Sequence, residues 1–205
     1  VRLVSIILSS LLILLIYGIG KELFNRKVGL ISAFLFAING FVLEIGSGRA
    51  ATVHVDLTFL FFITLAIFFS VYSAKKSSYL ISTLVGTAIG LAILSKWVPA
   101  LIVLPIWLLL NMHYKNNVTF ILKALCIIIV SMLLISIPWQ WYILITYPLE
   151  AKYEYEFNTR HFAEVLGNDE SYYLYNLHHL RIKFGEYLYF PMIILCIFLL
   201  KKWRN

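Results

Sequence analysis

The sequence predicts an all-α protein: a polytopic transmembrane helix bundle of about seven membrane segments, with an interfacial loop on the outer face. Three observations predict it. Of the 205 residues 61% are hydrophobic and 13% charged, whereas a soluble domain is about half apolar and about a quarter charged. The apolar residues come in blocks nearly clean of charge, as expected where a charge at the hydrocarbon centre costs about 2.5 to 3.5 kcal/mol. Basic residues gather in alternate connections, the distribution seen in membrane proteins of defined orientation.

A spanning helix needs about 20 residues, with a range of about 17 to 25. Segment one is Leu3 to Ile19. It lacks the basic start and small-residue cleavage pattern of a secretory signal, so it reads as a membrane helix of a chain cut from something longer. Segment two is Val28 to Ile45, and segment three, rich in Phe, is Leu57 to Tyr72. Segment four is Tyr79 to Ser95, where Gly86 and Gly90 form a GxxxG, a pattern that permits close helix packing. Residues 79 to 110 as one helix would run about 48 Å against a hydrocarbon core of about 30 Å. Pro99 has no N–H to donate to residue 95. A hairpin with Lys96 at its tip is therefore expected, followed by a short fifth segment, Ala100 to Leu110, that borrows Val98 and Pro99 or tilts.

Segment six is Thr119 to Ile137, with Lys123 one turn in, where it can snorkel. Residues 138 to 185 read as one polar and aromatic loop, and segment seven is Glu186 to Leu200. The whole chain, 1–205, reads as part of one transmembrane domain. Cys126 and Cys196 lie inside apolar runs and read as small buried hydrophobes, without a disulfide or metal framework.

The charges test this layout. The face holding loops 20–27, 73–78 and 111–118, Lys123 and the C-terminal end carries ten basic residues and one acid, Glu22. The other face carries seven basic residues and nine acids. The first face is cytoplasmic by the positive-inside rule. The excess of positive charge is thereby explained without nucleic acid, for which no motif is present. The sequon Asn117-Val-Thr119 falls on the cytoplasmic face and is discounted.

The outer face collects Arg2, Arg49, His54, Asp56 and Lys96. Arg49 and Lys96, with Arg2, suit a phosphate: arginine binds it bidentately and lysine as a point charge. Asp56 and His54 are the candidate catalytic side chains. Asp56 suits orienting a hydroxyl, pairing with a base or holding a metal, and His54 suits donating to an anion or taking a proton. Each has a bland alternative: interface anchoring for Arg49, snorkelling for Lys96, an N-cap for Asp56. The long loop opens on Pro138-Trp-Gln-Trp-Tyr142, which looks like a helix lying in or dipping from the outer interface. Trp139, Trp141, Tyr142, Glu150 and Tyr173 combine ring faces with a carboxylate and suit a sugar or acceptor. Interfacial anchoring explains the same aromatics. Adjacent His178 and His179 diverge and make a poor metal pair. No cofactor is indicated, and whether a divalent metal binds stays open.

Five motifs in register resemble a known family. They are Arg2-Leu3; Gly20-Lys-Glu-Leu-Phe-Asn-Arg-Lys-Val-Gly-Leu30, similar to a G-x-x-L-F-x-x-x-x-G turn; Arg49 followed by Asp56; Gly90-Leu-Ala-Ile-Leu-Ser-Lys96, similar to G-L-A-x-L-T-K; and Pro138-Trp139 with its aromatic loop. Together they resemble the polyprenyl-linked sugar transferases of the protein O-mannosyltransferase and aminoarabinose-transferase superfamily, which have the GT-C fold. The resemblance implies transfer of a sugar, a hexose such as mannose, from an undecaprenyl or dolichyl phosphate to a protein, lipid or glycan hydroxyl. It implies a multi-pass enzyme of the plasma membrane working on the periplasmic or extracellular side, or on the lumenal side of the endoplasmic reticulum in a eukaryote. It also implies that the base is a carboxylate of a loop preceding Val1, so that this stretch alone is inactive without the remainder of its parent chain. Arg49, Asp56 and Lys96 would then organise the carrier phosphate. A transporter or lipid-linked-sugar flippase is the alternative, although no internal repeat or midplane charge of the transporter kind is visible.

Overall fold

The computed structural model describes residues 2–39, 43, 54–165, 193 and 197. In chain order the helices are α1 (Arg2–Leu23), α2 (Arg26–Ala37), α3 (His54–Lys76) and α4 (Tyr79–Lys96). A 3-10 turn (Val98–Ile102), α5 (Val103–His113), α6 (Val118–Thr146) and α7 (Pro148–Val165) follow. Helices α1 to α6 belong to one compact unit and α7 to a second. Among the described residues, α1, α3, α4 and α6 are long and apolar enough to cross a membrane. They match expected segments one, three, four and six. Segment two, expected to run to Ile45, is corrected: α2 stops at Ala37 with Ile38 as its C-cap, and its 12 residues are too few to cross a membrane alone. Segment seven, apart from Ile193 and Ile197, lies outside the described residues.

The connections at one end are short and polar. Phe24 and Asn25 turn the chain between α1 and α2, and the Asn25 side chain caps α2 by accepting from the Val28 N–H at 3.0 Å. Gly20 and Gly29 allow this tight reversal: a Cβ on Gly29 would lie 2.6 Å from the Tyr17 carbonyl oxygen, and one on Gly20 2.9 Å from the Gly29 Cα. At the same end the Lys75 ammonium of α3 meets the Glu22 carboxylate of α1 at 2.9 Å, and the Tyr72 O–H donates to Glu22 at 3.0 Å. Ser78 caps α4, accepting from the Ile81 N–H.

The chain reverses at Lys96 as expected, and the fifth segment does borrow Val98 and Pro99. They enter the 3-10 turn, where Pro99 occupies an opening position whose N–H has no helical partner. Five residues of 3-10 helix and eleven of α-helix reach about 26 Å, most of a hydrocarbon core. The return is verified at the far end. The indole N–H of buried Trp107 points at Ser73 Oγ (3.4 Å), which hydrogen-bonds Ser82 Oγ at 2.7 Å. Asn116 Nδ2 donates to the Ala74 carbonyl and to Asn111 Oδ1, and Ser77 Oγ donates to Asn116 Oδ1. These pairings tie the ends of α3 and α5 to the start of α4. Asn117, the sequon residue, sits at this end and caps α6 by accepting from the Thr119 N–H at 2.9 Å.

Helix α4 lies between α3 and α6, which is why its buried residues, Ser82, Val85, Gly86, Ala88, Ile89, Gly90 and Ala92, are small or β-branched and occupy more than one face. With Ala66, Val103, Trp107, Phe120, Ala124, Ile128 and Met132 they form the core. Large apolar side chains such as Leu80, Leu14 and Leu134 point outward instead. Lipid is as apolar as leucine, so packing and not water exclusion joins such helices. The GxxxG expectation is borne out in atomic terms. A Cβ on Gly86 would collide with the Ile128 carbonyl oxygen and come within 2.8 Å of Ser131 Cβ, and one on Gly90 within 2.9 Å of the Met132 carbonyl oxygen.

Three further expectations are corrected. Helix α6 does not stop at Ile137 but runs through Pro138 to Thr146. The proline forfeits one hydrogen bond, from the Leu134 carbonyl, whereas ending the helix would leave several backbone groups unpaired, each costing far more in an apolar medium. Residues 148–165 are helical too, so the first part of the expected 138–185 loop is helix. Cys126 is free and exposed on α6, not buried, because the packed face of that helix is occupied by Ala124, Ile128 and Met132.

Gly86→Ala is expected to destabilise the bundle by about 1 to 3 kcal/mol, since the new methyl meets α6 backbone that cannot swing aside. Leu80→Ala on the lipid-facing side is expected to change stability by less than about 1 kcal/mol. Thermal unfolding of both variants in one detergent measures the contrast.

Candidate functional site

The end of the bundle opposite the short polar turns holds the candidate side chains of Asp56, Lys96, Trp139, Trp141 and Tyr142. Helices α1 and α3 are parallel there: Glu22 meets Lys75 at their C-terminal ends, and the Phe68 ring packs on Gly18 a few residues before. Their first residues, Arg2 and His54, therefore share the other end. The side chains of Arg2 and His54 lie outside the described residues, as do Arg49 and Tyr173 altogether.

Asp56 and Lys96, forty positions apart, form an ion pair between the first turn of α3 and the last residue of α4. Asp56 is not the residue that caps α3. The helix begins at His54, so the carboxylate stands inside the first turn and faces Lys96. Both charges suit their own helix, an anion at an N-terminus and a cation at a C-terminus, each worth about 0.3 to 1 kcal/mol. The side chains are 40% and 49% exposed, a setting in which an ion pair contributes about 0.2 to 1 kcal/mol. That is small beside the packing of α4. The pair is a group placed by the fold, and the fold does not depend on it. A lysine ammonium has three donors. Asp56 engages this one from one side, and its exposure leaves it open to an anion.

The backbone next to Lys96 was not foreseen. Trp97 closes α4 with φ 64° and ψ −132°, its N–H donating to the Ile93 carbonyl at 2.8 Å. A bulky residue at positive φ carries about 1 to 3 kcal/mol of strain, and such positions concentrate at functional sites. Pro99 two residues on was the available signal: it has no N–H to give the Ser95 carbonyl, so α4 cannot continue past this point.

Helices α4 and α6 are also parallel, with Gly86 against Ile128 and Gly90 against Ile135. Counting six residues beyond Gly90 and beyond its contacts Met132 and Ile135 places Lys96 at the level of Pro138 to Trp141. The last turns of α6 thus bring Trp139, Trp141 and Tyr142 to the same end, all about half exposed or more, with the Trp139 and Tyr142 rings 5.7 Å apart. They ride on a continuous helix and not on a separate interfacial one. Glu150 lies in the first turn of α7, in the second unit.

These features define an integral membrane protein, a polytopic helical bundle with a charged pair and an aromatic rim at one end. Residues 1–141 match the family described as dolichyl-phosphate-mannose-protein mannosyltransferase, and the chain belongs to that family of membrane glycosyltransferases. No curated protein and no solved structure matches the chain. The matched stretch contains Arg2, Arg49, His54, Asp56, Lys96, Trp139 and Trp141, and it ends before Tyr142, Glu150 and Tyr173.

A double-mutant cycle on Asp56→Ala and Lys96→Ala is expected to give a coupling of about 0.2 to 1 kcal/mol in thermal unfolding. A coupling several times larger would mean that the pair holds the bundle together.

Proposed function

We propose that the Asp56–Lys96 end binds the phosphate of a polyprenyl-phosphate mannose and that the protein transfers the mannose to a hydroxyl of a protein acceptor on the non-cytoplasmic face. Membership of the mannosyltransferase family supports the donor class. The single observation that carries the placement is the ion pair between Asp56 and Lys96 at the end opposite the basic turns. Orientation follows from charge: Lys21, Arg26, Lys27, Lys75, Lys76, Lys115 and Lys123 crowd the turn end with Glu22 as the acid among the described residues there, which argues for that end being cytoplasmic.

The chemistry is a displacement at the sugar C1. The acceptor oxygen forms a bond to C1, the C1–O bond to the phosphate breaks with its electron pair, and the acceptor proton passes to a base. The leaving group is already an anionic phosphate, so catalysis rests on holding it and stabilising the charge it gains. Lys96, with Arg49 and Arg2, supplies positive charge there. Asp56 is a positioning residue in this reading: engaged with the ammonium, it aims Lys96 and does not take the acceptor proton. His54, on the same turn of α3, donates to the phosphate or acceptor. Trp139, Trp141 and Tyr142 offer ring faces to the sugar. Because a donor lipid reaches its site from the bilayer, a charged pair at a helix end beside exposed aromatics suits it better than a closed pocket would.

The test uses the intact protein with radiolabelled polyprenyl-phosphate mannose and a membrane extract as acceptor. Lys96→Ala is expected to lower transfer by about 100-fold to 1000-fold, with folding verified by an unchanged unfolding midpoint. Lys96→Arg should retain more activity than Lys96→Ala, and Asp56→Asn should fall between wild type and Lys96→Ala. If label never leaves the carrier but the lipid crosses a vesicle bilayer, the protein moves lipid-linked sugar and the transferase reading fails.

A further inference from the structure

The other end of the bundle carries a second feature that sugar transfer does not use. A groove of about 440 Å³ opens between the start of α4 and the first turns of α6, lined by Tyr79, Leu122, Lys123, Cys126 and Ile127. Tyr79 and Leu122 are exposed, and the Tyr79 ring leans on Phe120 at 5.0 Å between centroids, which fixes the wall. Lys123 has no acidic partner among the described residues, the described ion pairs being Lys75–Glu22, Lys96–Asp56 and Lys152–Glu156. The Tyr79 hydroxyl likewise has no hydrogen-bond partner among them. The groove wall is almost wholly carbon, so Lys123 and Tyr79 line it with their apolar atoms, and their ammonium and hydroxyl stand outside that wall.

Their depth identifies the occupant. Lys123 is five residues beyond the first residue of α6, about 7.5 Å along the axis, within snorkelling reach of the interface. Tyr79 opens α4 at the same end. From there the groove passes Cys126 and Ile127, which lie deeper toward the bilayer centre. A cation and a phenol at the interfacial mouth and an apolar floor beneath them fit one molecule: a phospholipid with an anionic headgroup at Lys123 and an acyl chain along Leu122, Cys126 and Ile127. A second protein helix would have to bring a carboxylate to Lys123, and a free phosphate would leave the apolar floor unused. We propose that this groove is a binding site for an anionic phospholipid of the leaflet at the basic end, separate from the Asp56–Lys96 site.

The experiment takes the intact protein, purified and delipidated, in detergent with phosphatidylcholine as background. Phosphatidylglycerol is added, and the unfolding midpoint and the lipid retained in native mass spectrometry are recorded. The wild type is expected to gain several degrees and retain phosphatidylglycerol in preference to phosphatidylcholine. Lys123→Gln should remove most of that gain while unfolding at the wild-type midpoint in phosphatidylcholine alone, since the side chain is exposed. Tyr79→Phe should reduce the gain in part. Lys115→Gln, in the neighbouring turn, should leave it unchanged. The proposal is overturned if Lys123→Gln keeps the full gain, if Lys115→Gln loses as much, if phosphatidylcholine binds as well, or if soluble glycerol phosphate alone reproduces the shift.

Discussion

Close approach of backbone to backbone is the constraint on which the bundle depends. Between lipid-bathed helices no water is released by contact, so stability comes from dispersion and packing, and these fall off within an ångström. Glycine at 86 and 90 lets α4 rest on the α6 main chain, and Gly20 against Gly29 does the same for α1 and α2. Bulk on α4 is confined to residues such as Ile89 that fill the space the glycines leave. The sequence motif between Gly20 and Leu30 thus has a mechanical meaning: its first and last glycines touch across the turn.

This packing also sets the chemistry. With α4 registered against α6 on one side and against α3 on the other, Lys96 comes to Asp56 and to the level of Pro138 to Trp141. The charges themselves contribute little to that arrangement, because each is exposed and each is already favoured by its own helix end. The two ends of the bundle differ in kind. At the turn end, hydrogen bonds among buried Ser73, Ser82, Trp107 and Asn111 and half-buried Asn116 pin the helices. At the other end the described charged pair, Asp56 and Lys96, is half exposed. Rigidity is concentrated at one end and chemical availability at the other.

Much of this was legible in the residues. The hairpin at Lys96 follows from length and from a proline that cannot continue the helix, and the basic character of the turn end follows from where lysine and arginine fall. The end of α6 was misread because Pro138 and the Trp and Tyr beside it signal an interface. In an apolar medium the cost of unpaired backbone outweighs one lost hydrogen bond, and the helix carries on. The exposure of Cys126 was misread for a related reason: a wholly apolar helix does not say which of its faces meets protein and which meets lipid.

What the sequence determined by itself is the class of structure, which described stretches are long and apolar enough to cross a membrane, and the residue types at each end. It could do so because insertion energy depends on composition along the chain and turn chemistry depends on neighbours. What only the tertiary structure decided is which distant residues meet: Asp56 with Lys96, Glu22 with Lys75 and Tyr72, Trp107 with Ser73, and Lys123 with Tyr79 across one groove. Those meetings depend on helix register and rotation, which are set by close contacts between surfaces that are uniformly apolar in one dimension and specific only in three.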